Sequence, residues 1–170
     1  PSGSCAGMIR HHWPELFAGQ TDEAQALAIA ARTYELTEFL VDHLDLRLQD
    51  KGEPLTVAIH TSCSARREMG VADRIERLLA QLGNVHTVTQ ERHAECCGFG
   101  GTFAVKQADI SGAMVNDKTD ALRATGAAEV ISQDCGCLMN IGGALDRQGG
   151  GPSTRHIAEF LWERTAGGEQ

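Results

Sequence analysis

No stretch of this chain stays apolar for long. Runs such as Ala28–Ala31 and Phe39–Val41 cover a few residues, far short of the roughly twenty that a membrane-crossing helix needs, so no transmembrane segment is expected. A basic surplus is missing too. Lys and Arg total 15 against 23 Asp and Glu, a net charge of −8 with a pI near 5.3, which excludes nucleic acid or an anionic membrane surface as the main partner. No charged start leads into an apolar segment of the secretory type, and a cytoplasmic location is therefore expected. The glycine-rich run CCGFGG at 96–101 lacks the G-x-G-x-x-G spacing of a dinucleotide fingerprint. Nor does any Ser/His/Asp arrangement argue for acyl transfer.

What is there begins with ordinary globular material. The 170 residues are 42% hydrophobic and 22% charged, enough for one compact domain. A long helix is expected over Thr21–Leu48, where Leu36, Leu40, Leu44 and Leu48 recur every four residues. Leu55–His60, Val85–Thr89 and Ala128–Ser132 are short, β-branched runs of strand length. Helical spacing follows in Val71–Leu82, Asp109–Thr125, Leu138–Leu145 and Thr154–Arg164, with a frayed tail expected over 166–170. Strand alternating with helix predicts an α/β fold, a small parallel sheet with helices on both faces.

Six cysteines are set on that pattern: Cys5, Cys63, Cys96, Cys97, Cys135 and Cys137. The last five follow the three expected strands, so the fold brings cysteine loops to the carboxyl edge of the sheet, where open α/β sheets bind ligands. Several readings compete. Buried thiols can serve as small hydrophobes. Cys135 with Cys137, or the adjacent pair Cys96–Cys97, could oxidise to a disulfide, although the expected compartment is reducing. A zinc site would usually use paired C-x2-4-C knuckles, which Cys-Cys and Cys-Gly-Cys do not supply. An iron–sulfur cluster takes soft thiolate ligands. Adjacent thiolates diverge, which suits several irons better than one ion, and Gly98, Gly100 and Gly101 let backbone N–H groups approach sulfur.

These residues carry a resemblance. Cys63, then Cys96-Cys97-Gly98, then Asp134-Cys-Gly-Cys137 resembles the cysteine-rich CCG domain found in heterodisulfide reductase and in the iron–sulfur subunit of glycolate oxidase. HTSC (60–63), CCGFGGTFAVK (96–106), ISGAMVNDK (110–118) and GCLMNIGG (136–143) closely resemble the lactate-utilisation A family of Fe–S oxidoreductases, over nearly the whole chain. The resemblance implies an iron–sulfur cluster, of 4Fe–4S type, held by Cys63, Cys96, Cys97 and Cys137. Cys135 is a fifth or substitute ligand, since the family motif ends C-x-x-C and this chain ends Cys135-Gly-Cys137. Zinc is expected as a substitute after aerobic preparation. The implied role is electron transfer within a lactate or 2-hydroxy acid dehydrogenase complex, with the other subunits as partners; thiol–disulfide chemistry of the heterodisulfide reductase kind and a zinc-stabilised interaction domain are the alternatives.

Members of that family carry two CCG repeats. Here PSGSCAGMI (1–9) aligns with QDCGCLMNI (133–141), pairing Cys5 with Cys137 and Gly3 with Cys135. Residues 1–20 are therefore expected to close a first repeat and link it to a complete CCG domain at 21–170, with a missing N-terminal repeat as a further partner. Among other residues, His60 and His93 flank the cysteine loops as candidate ligands. Arg66 and Arg67 could face an anionic cluster or a carboxylate, and Trp13 is expected to pack against the absent repeat. Ile157, Phe160, Leu161 and Trp162 form a core-facing stripe.

Overall fold

Alternation of side chains decides the sheet. Val57 and Ile131 point into one apolar cluster while Ala58 and Val130 point into another, so the strands that carry them are buried on both faces, as parallel strands are. In the computed structural model, which describes residues 2–166, β1 (Leu55–Ile59), β2 (Val85–Val88), β3 (Glu129–Ser132) and β4 (Ser153–His156) form one parallel sheet in the order β2-β1-β3-β4.

Helices cover both faces. α5 (Ala72–Leu79) and α9 (Ile157–Ala166) bring Ile75, Leu78, Phe160 and Leu161 against Val57 and Ile131. α7 (Ala108–Ala124) and α8 (Cys135–Arg147) bring Val115, Leu122, Ile141 and Leu145 against Ala58 and Val130. A short α6 (Thr102–Lys106) precedes α7. The amino-terminal helix runs as α1 (Gly3–Gly7), a π-helical stretch Met8–His12 and α2 (Trp13–Leu16). Its Ala6 packs with Ala65 of the π-helical turn Ser64–Glu68 and with Met69 just past it, so this segment leans on the first cysteine loop. Trp13 meets Phe17 of this chain at 6.0 Å between ring centroids.

Four expectations are corrected. Of the stripe expected to face the core, Ile157, Phe160 and Leu161 are buried but Trp162 is 73% exposed, on the solvent side of its helix. The long helix over 21–48 is two pieces, α3 (Glu23–Ala30) and α4 (Leu36–Glu38), the latter continuing as a π-helical stretch to His43. Glu35 starts the second piece: its buried carboxylate accepts from the N–H groups of Thr37 at 2.7 Å and Glu38 at 3.2 Å. Arg10 holds the break open by donating to Thr33 O and to the Glu38 carboxylate. The four-residue leucine repeat outlasts the helix because Leu46 and Leu48 pack on the core from irregular chain. The helix expected at Thr154 begins instead at Ile157, because Ser153–His156 pairs with β3 as a fourth strand and Arg155 reaches Glu129 at 2.9 Å. The helix expected at Leu138 starts earlier, at Cys135, where Asp134 caps it. Beyond Ala166, the expected tail lies outside the described residues.

One ion pair fastens the amino edge. Arg164 and Asp50 meet at 2.7 Å with side chains 9% and 4% exposed, and Arg164 also donates to Glu53 O. Burial alone would raise the Asp50 carboxyl. Arg164 and the N–H groups of Asn84 and Gly52 outweigh it, and the group sits below its ordinary value. Replacing Arg164 by Met strands a buried carboxylate and is expected to cost about 3–5 kcal/mol in urea unfolding. Arg74→Met, at the more exposed Asp42 and Asp73 contacts, should cost about 1 kcal/mol or less. Because the folded Asp50 value is the lower one, its contribution is full above the ordinary carboxylate range and disappears as pH falls through the folded value.

Candidate metal centre

Each cysteine loop leaves a strand and is fixed by a side chain rather than by regular structure. Past β1, the Ser62 hydroxyl accepts from the Ala65 N–H at 3.2 Å and turns the chain into the segment that Cys63 caps. Past β2, Gly98 adopts φ +83°, and its carbonyl accepts from the Ser111 hydroxyl at 2.9 Å. The Asn140 amide donates to Cys97 O at 2.8 Å. Past β3, the Asp134 carboxylate accepts the Cys137 N–H at 3.1 Å, an N-cap of the usual geometry.

The result gathers four thiols in two pairs. Cys97 and Cys137 are 1% and 5% exposed and belong to the α7–α8 core. With His60, 1% exposed at the end of β1, their ligand atoms all lie within 4.8 Å of one another. Cys63 and Cys96 are half-buried, and Cys63 stands close enough to help raise the Cys96 thiol above its ordinary value. Cys63 and Cys137 line one cavity of about 250 Å³, together with Ser62, Phe99 and Asp134. Cys135 is exposed and lines a neighbouring, larger cavity. Cys5 is exposed in α1, hydrogen-bonded by the Ser2 hydroxyl at 3.5 Å, while its neighbour Ser4 reaches the cysteine cavity. Of the two histidines, His60 joins the group and His93 is exposed. Arg66 donates to the Thr61 hydroxyl, and Arg67 is exposed.

Crowding splits the thiols' acidities. Cys97 is driven down to about 5, chiefly because the Cys137 thiol donates to it, with burial opposing and His60 adding to the effect. Burial pushes Cys96 up to about 11, against the Gly98 N–H, which lies 3.4 Å from its sulfur. Cys137, the donor to Cys97, is pushed well up. Lys118 brings a counter-charge from α7. It is 2% exposed and donates to Arg92 O at 3.1 Å. Burial lowers its value, while Glu95 and Cys97 favour the charged form.

The donor set suits a thiophilic metal. Four thiols and an imidazole converge, and both His60 ring nitrogens are buried without a hydrogen-bond partner, which is costly unless something ligates or bonds them. Sequence reasoning singled out the cysteines and His60 but not Ser111, Asn140 or Lys118. All three fall inside the stretches 110–118 and 136–143, where ordinary polar residues give no chemical signal of their own.

Comparison with known proteins agrees with this picture. The sequence profile of the CCG family, a cysteine-rich domain, matches residues 57–142. Lactate utilization protein A of a Geobacillus species is 44% identical over 167 residues, 96% of this chain and 69% of that protein. The protein of the same name from Geobacillus kaustophilus is 44% identical over 164 residues, 95% of this chain and 67% of that one. That of Oceanobacillus iheyensis is 41% identical over 172 residues, 99% and 69% of the two chains.

In metal-free protein, ultraviolet absorbance of thiolate should reveal one thiol ionising near pH 5, absent from Cys97→Ser and moved upward in Cys137→Ala. Since the folded value lies below the unfolded one, this thiolate stabilises the fold at higher pH and loses its effect as pH falls through about 5. The urea midpoint should therefore decline on acidification, and less steeply in Cys97→Ser.

Proposed function

The chain belongs to the CCG family of cysteine-rich domains, and from that premise we propose that it binds an iron–sulfur cluster and serves as an electron-transfer subunit of a lactate- or 2-hydroxy-acid-oxidising complex. One observation carries the reading: four thiols, two of them on adjacent residues, gather at the carboxyl edge of the sheet. There Cys63 and Cys137 line one cavity, Cys97 lies within 4.8 Å of Cys137 and His60, and Cys96 stands close enough to Cys63 for its thiol to be raised by it. Adjacent cysteines diverge, and here Cys97 lies with Cys137 and His60 while Cys96 is influenced by Cys63, a spread that a multi-iron cluster can bridge. When bound, such a cluster, expected as 4Fe–4S, takes up and releases one electron at a time.

In this reading Cys63, Cys96, Cys97 and Cys137 hold the irons, and Cys135 is a fifth or substitute ligand. The Gly98 N–H points at the Cys96 sulfur, where such a bond raises the potential. Lys118 offsets the negative charge of the thiolates from below. Lactate enters from the relatives' names, which speak of lactate utilization. The oxidation itself is assigned to partner subunits, with a preceding CCG repeat and a cytoplasmic site of action as parts of the same proposal. No helix among the described residues is long and apolar enough to cross a membrane, so contact with a membrane would run through partners.

A second reading has its own observation. His60, Cys97 and Cys137 alone form a three-ligand cradle, the number of protein ligands in a zinc centre with an open position.

Protein prepared and reconstituted without oxygen should contain iron and acid-labile sulfide in near-equal amounts and give a cluster EPR signal on reduction. Cys96→Ser and Cys97→Ser should each abolish both. Zinc at one per chain, kept by Cys96→Ser and lost by His60→Ala, would establish the second reading and overturn the first.

A further inference from the structure

Beside Cys63 and Cys137 lies a larger cavity of about 760 Å³, with Cys135 in its wall, to which the electron-transfer reading gives no bound molecule. It shares Ser4, Phe99 and Asp134 with the cysteine cavity, so Phe99 stands in the wall common to a molecule seated in it and to Cys63 and Cys137. The position of that ring is built in. Gly136 lies under Phe99, where a β-carbon would fall 2.5 Å from Cε1 and 2.7 Å from Cδ1. Any larger residue at the start of α8 would push Phe99 off the shared wall.

The lining describes its occupant. Tyr34, Phe39 and Phe99 give it aromatic surface, and Phe39 and Phe99 are 40% and 39% exposed. Gln133 also lines it. That side chain is 2% exposed, yet neither its amide nitrogen nor its oxygen has a hydrogen-bond partner. A buried amide left in this state is unfavourable, and a bound molecule offering an acceptor to Nε2 would relieve part of that cost. Arg32 and His156 add donors to the same walls. Cavities of roughly 300–1,000 Å³ accept molecules of many ring atoms, and a three-carbon acid would leave most of this one empty.

We propose that this cavity binds a planar conjugated ring carrying an in-plane carbonyl, the chemistry shared by quinones and by the isoalloxazine of flavins. The ring lies against Phe39 and Phe99, and its carbonyl accepts from the Gln133 amide. That such a ring exchanges electrons with the centre rests on the iron–sulfur reading; that it binds does not.

The test is isothermal titration of the full chain, before and after chelation, with duroquinone and with riboflavin. Duroquinone is chosen because its four methyl groups block addition of the exposed Cys135 thiol to the ring. Saturable one-site binding of either ring is expected, weakened about tenfold or more in Gln133→Leu and in Phe39→Ala, and unchanged in Trp162→Ala, whose exposed side chain lies outside the cavity. Saturation by duroquinone alone names a quinone, by riboflavin alone a flavin, and mutual competition supports the shared ring chemistry. Absence of saturation by both rings, or wild-type affinity in both cavity variants, overturns the proposal. A chain that holds iron and sulfide but binds neither ring fails this inference only. One that binds a ring but never assembles iron and sulfide fails the electron-transfer reading and leaves this one standing.

Discussion

Everything at the cysteine centre depends on the parallel alignment of β1 with its neighbours β2 and β3. Cys63, Cys96–Cys97 and Cys137 are separated by 32 and by 39 intervening residues, and only strands that run the same way can deliver all of them to one edge. Because a parallel sheet is covered on both faces, that edge is also largely dry. Strand-end residues His60, Gln90 and Gln133 are each 2% exposed or less and retain unpartnered polar atoms. The fold therefore concentrates soft donors and unsatisfied polar groups in one place, whereas ordinary packing would bury neither without partners.

The same crowding sets the chemistry of the metal-free thiols. Four ionised sulfurs cannot share so small a volume, and the site responds by unequal protonation: one thiolate at Cys97, a thiol donated to it by Cys137, and Cys96 held protonated by burial. Loading a metal then requires proton release, so affinity falls on acidification. The Cys137 thiol and His60 let a thiolate persist in the core. Cys97 in turn favours the charged form of Lys118, and the Lys118 hydrogen bond to Arg92 O ties that charge to a turn whose own residue has φ +51°.

Much of this was legible in the sequence, for reasons that can be named. β1 and β3 are short runs buried on both faces and therefore largely apolar, β2 is an edge strand marked by Val85 and Val88 around exposed His86 and Thr87, and the glycines and helices between them allow few other arrangements. The cysteines were legible because nothing else in a compact domain calls for that residue in three strand-end loops. β4 was not, since Ser-Thr-Arg-His carries no apolar signal; it is a strand because Arg155 finds Glu129 and the edge of β3 is free to pair. The break at Glu35 was hidden too. The leucines keep helical spacing through it, and the interruption comes from Arg10, more than twenty residues away in the chain. Asn140 and Ser111 act through backbone carbonyls of other loops, which no local pattern reveals.

Gly98 shows how far the cysteine motif extends beyond its letters. A β-carbon at that position would lie 2.5 Å from the Ser111 carbonyl oxygen and 3.2 Å from Met114, so the glycine is enforced by the first turns of α7 rather than by sulfur. Anyone grafting the centre onto another scaffold would have to carry that stretch of helix along with the three loops. A transplant limited to the cysteines and their immediate neighbours would leave the Cys96–Cys97 loop without the wall that gives it its shape.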